Sequence, residues 1–147
     1  MAINPDYAGR TFGPSAPYEV TRGKIAEFAT AIGEQSPLCF DTEAAQAAGY
    51  PDVIAPPTFA IVVFTAGGSI AVNEPGLGVN YSMVVHGEQA FEHSRPLHAG
   101  DVVVSRQTIE LIKPMRKHTA MTTRIDVETV DGEHVFTARN TLVERGE

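Results

Sequence analysis

Glu34 and Cys39 sit in one short polar loop, E-Q-S-P-L-C, and bring together a carboxylate and a thiol. A carboxylate can move protons as a general acid or base, and a thiolate can act as a nucleophile, once a neighbour activates them. No histidine lies close to Cys39 in sequence to do so, and a free cysteine often serves as a small apolar filler. Glu34, at a helix end, is a position where a solvated surface acid is more common than a base. His86, His93, His98, His118 and His134 show no H-x₃-H spacing, so no metal site is expected. His86 and His93 fall on one expected strand at an odd separation, which directs them to opposite faces. Lys113, Arg116, Lys117 and His118 form the one local basic cluster, in an expected turn. It reads either as a solvated turn or as an anchor for phosphates or an acidic surface.

The elements that must hold these groups follow from patterning. Residues 1–17 are rich in Gly and Pro, with Pro5, Pro14 and Pro17 each lacking a backbone donor, and read as an extended arm followed by a short strand over 18–20. Thr21 is an N-cap candidate for a helix whose stripe is Ile25, Phe28, Ala29 and Ile32, with Gly33 at its C-cap. Asp41 or Thr42 caps a second helix that Gly49 ends. Pro56 and Pro57 suit the first turn of a third helix running over 58–72. Phe59, Ile61, Val62, Val63, Phe64, Ile70 and Val72 leave that helix no polar face, so it is expected to be buried on all sides. Gly67 and Gly68 mark close packing, a kink or an early end. Beyond Gly78, strands are expected over 79–93, 102–112, 119–130 and 134–143. R-P-L-H-A-G-D, 114–117 and Asp131-Gly132 serve as turns, giving three successive antiparallel connections. Helices followed by long strands imply an α+β fold, a curved antiparallel sheet wrapped around a buried central helix.

The 147 residues fit one domain over 1–147, with 43% hydrophobic content to fill one core. Eighteen acids against eleven bases give a net charge of −7, and the bases share no periodic face, which disfavours nucleic acid as a partner. No apolar run reaches the about 20 residues a membrane span needs, and M-A-I-N-P-D-Y-A-G-R has no export pattern. With Cys39 alone no internal disulfide can form, so a cytoplasmic, reduced setting is expected.

The segment G-E-Q-S-P-L-C-F-D…I-A-P-P-T-F resembles the hydratase motif of the MaoC-like hot-dog family of (R)-specific enoyl hydratases and (3R)-hydroxyacyl dehydratases. In catalytic members the loop reads roughly G-D-x-N-P-I/L-H-x-D, followed by A-H-G-M at the start of the central helix. The features Y-E-V-T-R-G-K-I-A-E-F-A and E-Q-A-F-E-H-S-R-P-L-H-A-G-D are similar to the degenerate, actinobacterial-type subunits of that family, which assemble with a catalytic partner. The resemblance covers nearly the whole chain and implies the hot-dog fold.

Carried over without gaps, the family's catalytic Asp falls on Glu34, its catalytic His on Cys39, and the Gly whose N–H receives the thioester oxygen on Pro57. Glu34 keeps a carboxylate displaced by about 1.5 Å. Cys39 loses the imidazole, and a thiol is a base only as its thiolate. Pro57 has no N–H, and losing one oxyanion donor costs on the order of 10²- to 10³-fold in rate. Thr65 matches a hydroxyl that orients the Asp in catalytic members, though its bland reading is a bond to its own helix backbone. The resemblance therefore implies a subunit that is weak or inactive alone, forming a homodimer or a heterodimer with a catalytic hot-dog chain. It would line an acyl channel with Phe59 and Val63 and anchor coenzyme A or an acyl carrier protein through Lys113, Arg116 and Lys117. No cofactor or metal is implied. Two rivals are an active homodimeric hydratase using Glu34 and a non-enzymatic acyl-thioester-binding protein.

Overall fold

The computed structural model describes residues 3–146, with the side chains of Ala71 and Val72 outside the described residues. In the Pro-rich arm, β1 (Thr11–Phe12) and β2 (Tyr18–Glu19) are only two residues long, and both lie antiparallel on β4 (Val102–Met115). Thr21 accepts a hydrogen bond from the Lys24 N–H and opens α1 (Arg22–Ala31). Gly33, just past its end, takes a left-handed φ of 75° that suits glycine. Asp41, rather than Thr42, caps α2 (Thr42–Ala47) by accepting from the N–H groups of Glu43 and Ala44.

The central segment departs from the expected continuous helix. A 3-10 turn over Pro57–Phe59 leads into α3 (Ala60–Ala66), and α4 (Ile70–Asn73) starts a separate turn. Both glycines act. A side chain on Gly67 would stand 2.9 Å from Ser15 Cβ and 3.2 Å from Ser105 Oγ, while Gly68 breaks the helix at a φ of 81°. Gln107 spans the break: its Nε2 donates to the Gly68 carbonyl at 3.0 Å and its Oε1 accepts from the Ile70 N–H at 3.4 Å. Backbone groups freed by the break are thereby satisfied from the sheet. Nor is the helix buried on all sides, because one sheet covers one face. Phe59, Ala60, Val63 and Phe64 are buried, whereas Ile61 remains 39% exposed. Val72, expected to share this apolar surface, is among the side chains outside the described residues.

The four long strands are β3 (Val84–His93), β4, β5 (His118–Thr129) and β6 (His134–Glu144). Strand order is β1-β4-β5-β6-β3, all neighbours antiparallel, with β2 also on β4. Two of the three expected antiparallel connections are hairpins. The third is not, since β3 pairs with β6 and 94–101 crosses between opposite parts of the sheet. That crossing is held by the Ile54–His98 bridge, by Ala55 N–H to Leu97 O and Ala99 N–H to Val53 O, and by a partly buried Arg95–Asp101 ion pair. It buries Leu97 and Ala99, which a simple surface turn would not.

The result is an open six-stranded antiparallel sheet with α3 against its inner face, the α+β hot-dog arrangement. Two apolar clusters divide the inner face. One joins α1, the loop before α2 and α3 to Val103, Ile125, Val127, Phe136 and Ala138. The other sits under the arm, where Ile3 meets Ile70, Leu77, Ile109, Ile112 and Met121. Among the described residues no helix is long and apolar enough to cross a membrane.

Candidate functional site

Glu34 follows the Gly33 turn, and its N–H returns to the Ala29 carbonyl at 2.9 Å. Its Oε1 accepts from the backbone N–H groups of Gln35 and Ser36, both at 2.9 Å, so the carboxylate is folded back onto its own loop. Cys39 ends a 3-10 turn, is 4% exposed and packs in the first apolar cluster with Ala29 and Phe59. Burial, with the nearby Glu34 charge added, pushes its thiol pKa up, away from the thiolate.

Proline occupies both positions ahead of the central helix, and the Phe59 N–H donates to the Pro56 carbonyl at 2.9 Å. Pro57, as a proline, has no backbone N–H to donate. The Pro57 carbonyl accepts from His93 Nε2 at 3.1 Å. His93 packs between Phe91 and Phe136 at centroid distances of 6.3 and 5.5 Å, and its buried Nδ1 has no partner among the described residues. Thr65 Oγ1 donates to the carbonyls of Ile61 and Val62 at 2.6 and 3.2 Å. Its hydroxyl is committed to its own helix and does not orient Glu34.

A cavity of about 380 Å³ lies farther along the inner face, between the two apolar clusters, within the size range of small-molecule pockets. It exists because α3 stops at Ala66. Phe64, Thr65, Gly68 and Ser69 roof it, and Gln107, Met121, Thr123, Ile125, Asn140 and Leu142 floor it. Phe59 and Val63, expected to touch a ligand, do not line it. Both are buried within the first cluster. Tyr81, Val84 and His86 complete the wall beside β3.

His86 reaches this wall through a register shift. The β3–β6 pairing runs His86↔Leu142 and then Glu88↔Thr141, leaving Gly87 as a bulge. One extra residue reverses the alternation, so His86 and His93, opposite Leu142 and Phe136, share the inner face. The expectation of opposite faces fails for that reason. Gly87 alone, in a strand otherwise rich in side chains, was the available signal.

Lys113, Arg116 and Lys117 are exposed at the β4–β5 turn, with no ion pair among the described residues. Exposed Arg145 joins them, since the Gly146 N–H donates to His118 Nδ1 at 3.3 Å. This group stands at the end of the sheet opposite Glu34, Cys39 and Pro57, roughly 30 Å away at about 3.3 Å per strand residue. The structure thus gathers the first three residues at one end and the bases at the other. Among the described residues no cluster of metal-ligating side chains is present.

The family model described as "FAS1-like, dehydratase domain region" matches residues 6–138. A UPF0336 protein of Thermobifida fusca is 50% identical over 147 residues, all of this chain and 97% of the relative. A UPF0336 protein of Streptomyces coelicolor is 48% identical over 146 residues, 99% of this chain and 97% of that one. Among solved structures, a C-terminally truncated HadBC (3R-hydroxyacyl-ACP dehydratase) complex from Mycobacterium tuberculosis superposes with a TM-score of 0.80 at 28% identity, covering 93% of this chain and 97% of that chain. The ChsH1–ChsH2 complex of the same organism gives 0.73 at 25% identity, over 91% and 85%.

Proposed function

The chain belongs to the FAS1-like dehydratase-region family, and from that premise we propose that it is a hot-dog subunit without chemistry of its own. With a catalytic hot-dog partner it supports reversible dehydration of a (3R)-hydroxyacyl thioester to the trans-2-enoyl thioester. The observation that carries this reading is the head of the central helix, where Pro57 presents a carbonyl bound by His93 instead of an N–H. Negative charge growing on a thioester oxygen there would meet no donor from Pro57, and the adjacent thiol is held neutral. Glu34, tied to its own loop, lacks the second group that proton transfer across the Cα–Cβ bond requires.

Pairing is supported by the sheet edge. β3 is hydrogen-bonded to β6 on one side only, and most of its residues are exposed. An unpaired ten-residue edge invites a second strand, and two similar solved structures are heteromeric complexes by name. Exposed Tyr81 and His86 line the cavity beside the same edge, where the acyl part of a thioester held by the partner can enter. The thioester's carrier, coenzyme A or an acyl carrier protein, meets Lys113, Arg116 and Lys117. Arg116 sits at a φ of 54°, a left-handed value in a turn that glycine or asparagine fills more cheaply. An exposed guanidinium at a position of backbone strain supports a binding role.

The test is turnover of a short enoyl thioester by the purified chain, then by the chain mixed with a hot-dog protein carrying the intact G-D-x-N-P-x-H motif. Turnover is expected only in the mixture. Robust hydration by the chain alone, abolished in Glu34→Gln, would overturn the reading. Charge reversal at Lys113, Arg116 and Lys117 is expected to raise KM in the mixture, and an unchanged KM would remove the carrier assignment.

A further inference from the structure

We infer that the cavity is built for an uncharged acyl group that carries an oxygen, a hydroxyl or keto group along its chain, and that Thr123 and Asn140 read that oxygen. This rests on the reading above that an acyl group enters the cavity.

The floor is layered. Met121 pairs with Leu142, the next inward rung pairs Thr123 with Asn140, and the one after pairs Ile125 with Ala138. A polar rung between two apolar ones is a poor bed for plain hydrocarbon, which would strip water from the hydroxyl and amide and return nothing. It suits a ligand that is apolar at both ends of this stretch and polar in between.

The rung has hydrogen-bonding capacity to spare. Among the described residues the Thr123 side chain makes no hydrogen bond, although only 9% of the residue is exposed. On the other face of the same sheet, Thr122 and Thr141 satisfy each other at 2.9 Å. Asn140 uses Nδ2 to donate to Gln89 Oε1 at 2.9 Å, which fixes the amide and leaves Oδ1 without a partner among the described residues. Thr123 can donate and accept, and Asn140 can accept, so a ligand hydroxyl can satisfy both and a keto oxygen can take the Thr123 proton.

Charge sets the rest of the class. No Asp, Glu, Lys or Arg lines the cavity, so His86 at the wall is the one lining group that could carry a charge opposite a carboxylate or phosphate, and the floor around Thr123 and Asn140 has none. Gln107, the other amide on the floor, is already spent on Gly68 and Ile70.

The experiment measures binding of decanoyl pantetheine thioester and of mid-chain hydroxy- and oxo-decanoyl counterparts to the full chain by calorimetry, for wild type, Thr123→Val, Thr123→Ser and Asn140→Leu. An oxygenated ligand is expected to bind about tenfold tighter than the plain one, as one or two added hydrogen bonds imply. Thr123→Val and Asn140→Leu should each lower that ratio toward one, and Thr123→Ser should keep it. Thermal unfolding of each variant establishes that it is folded. Equal or tighter binding of the plain chain overturns the inference and leaves the acyl-binding reading standing. A preference that persists in both Thr123→Val and Asn140→Leu overturns the assignment to this rung. No binding of any thioester overturns the acyl-binding reading itself.

Discussion

At the scale of single residues, two buried ionisable groups behave in opposite ways. Cys39 holds its proton to a higher pH in the folded chain than in the unfolded one. Its contribution to stability is therefore complete below the unfolded value, about 8.5, and is lost as pH rises toward the folded value. Alkylation of folded chain near pH 8 should run on the order of 100-fold slower than in urea-unfolded chain, as thiol titration would show. Asp101 goes the other way. Burial pushes its carboxyl up, but the Arg95 guanidinium and the His98 N–H outweigh that and hold it below the ordinary carboxylate range. The stability it adds is present above about pH 3.9 and disappears as pH falls through the depressed value. Asp101→Asn should cost about 2–3 kcal/mol at pH 7 and flatten the acid limb of stability against pH, measured by urea unfolding across the range.

Among the elements, the break between α3 and α4 decides whether there is a cavity. Gln107→Leu leaves the Gly68 carbonyl and Ile70 N–H unpaired and should cost about 1–3 kcal/mol, with faster amide exchange at Ile70. Gly68→Ala forces a β-carbon into the left-handed region and toward Asn73 Nδ2 at 2.9 Å. A loss of about 1 kcal/mol or more in chemical denaturation follows. Legibility in the sequence varied with the kind of signal. Caps at Thr21 and Asp41, the glycine ends at Gly33 and Gly49 and the two later hairpins are local chemistry and could be read directly. Pairing of β3 with β6 is long-range and has no local signature, which is why a turn was expected at 95–101. Glu34, Cys39 and Pro57 could be singled out through motif spacing. Gln107, Thr123 and Asn140 could not, because an inward polar residue is recognisable only after strand register is known.

For the whole molecule, the arm closes the second apolar cluster from outside. Ile3 is 2% exposed, and the Asn4 N–H bonds the Leu77 carbonyl at 2.8 Å. Ile3→Ala should therefore destabilise the chain by about 2–4 kcal/mol, more than its position near a terminus suggests, with the denaturation midpoint as the readout. The crossing of 94–101 sets a further condition, one of timing. β3 leaves the ribosome before its neighbour β6 exists, and roughly fifty more residues, on the order of 3–10 s of synthesis, must follow before the pair can form. During that interval Val84, Val85 and Phe91 travel on an unzipped strand with Glu88 and Glu92 spaced along it. Like charges on a waiting strand disfavour the zipping together of two nascent copies, a consequence of the same crossing that leaves β3 at the edge of the sheet.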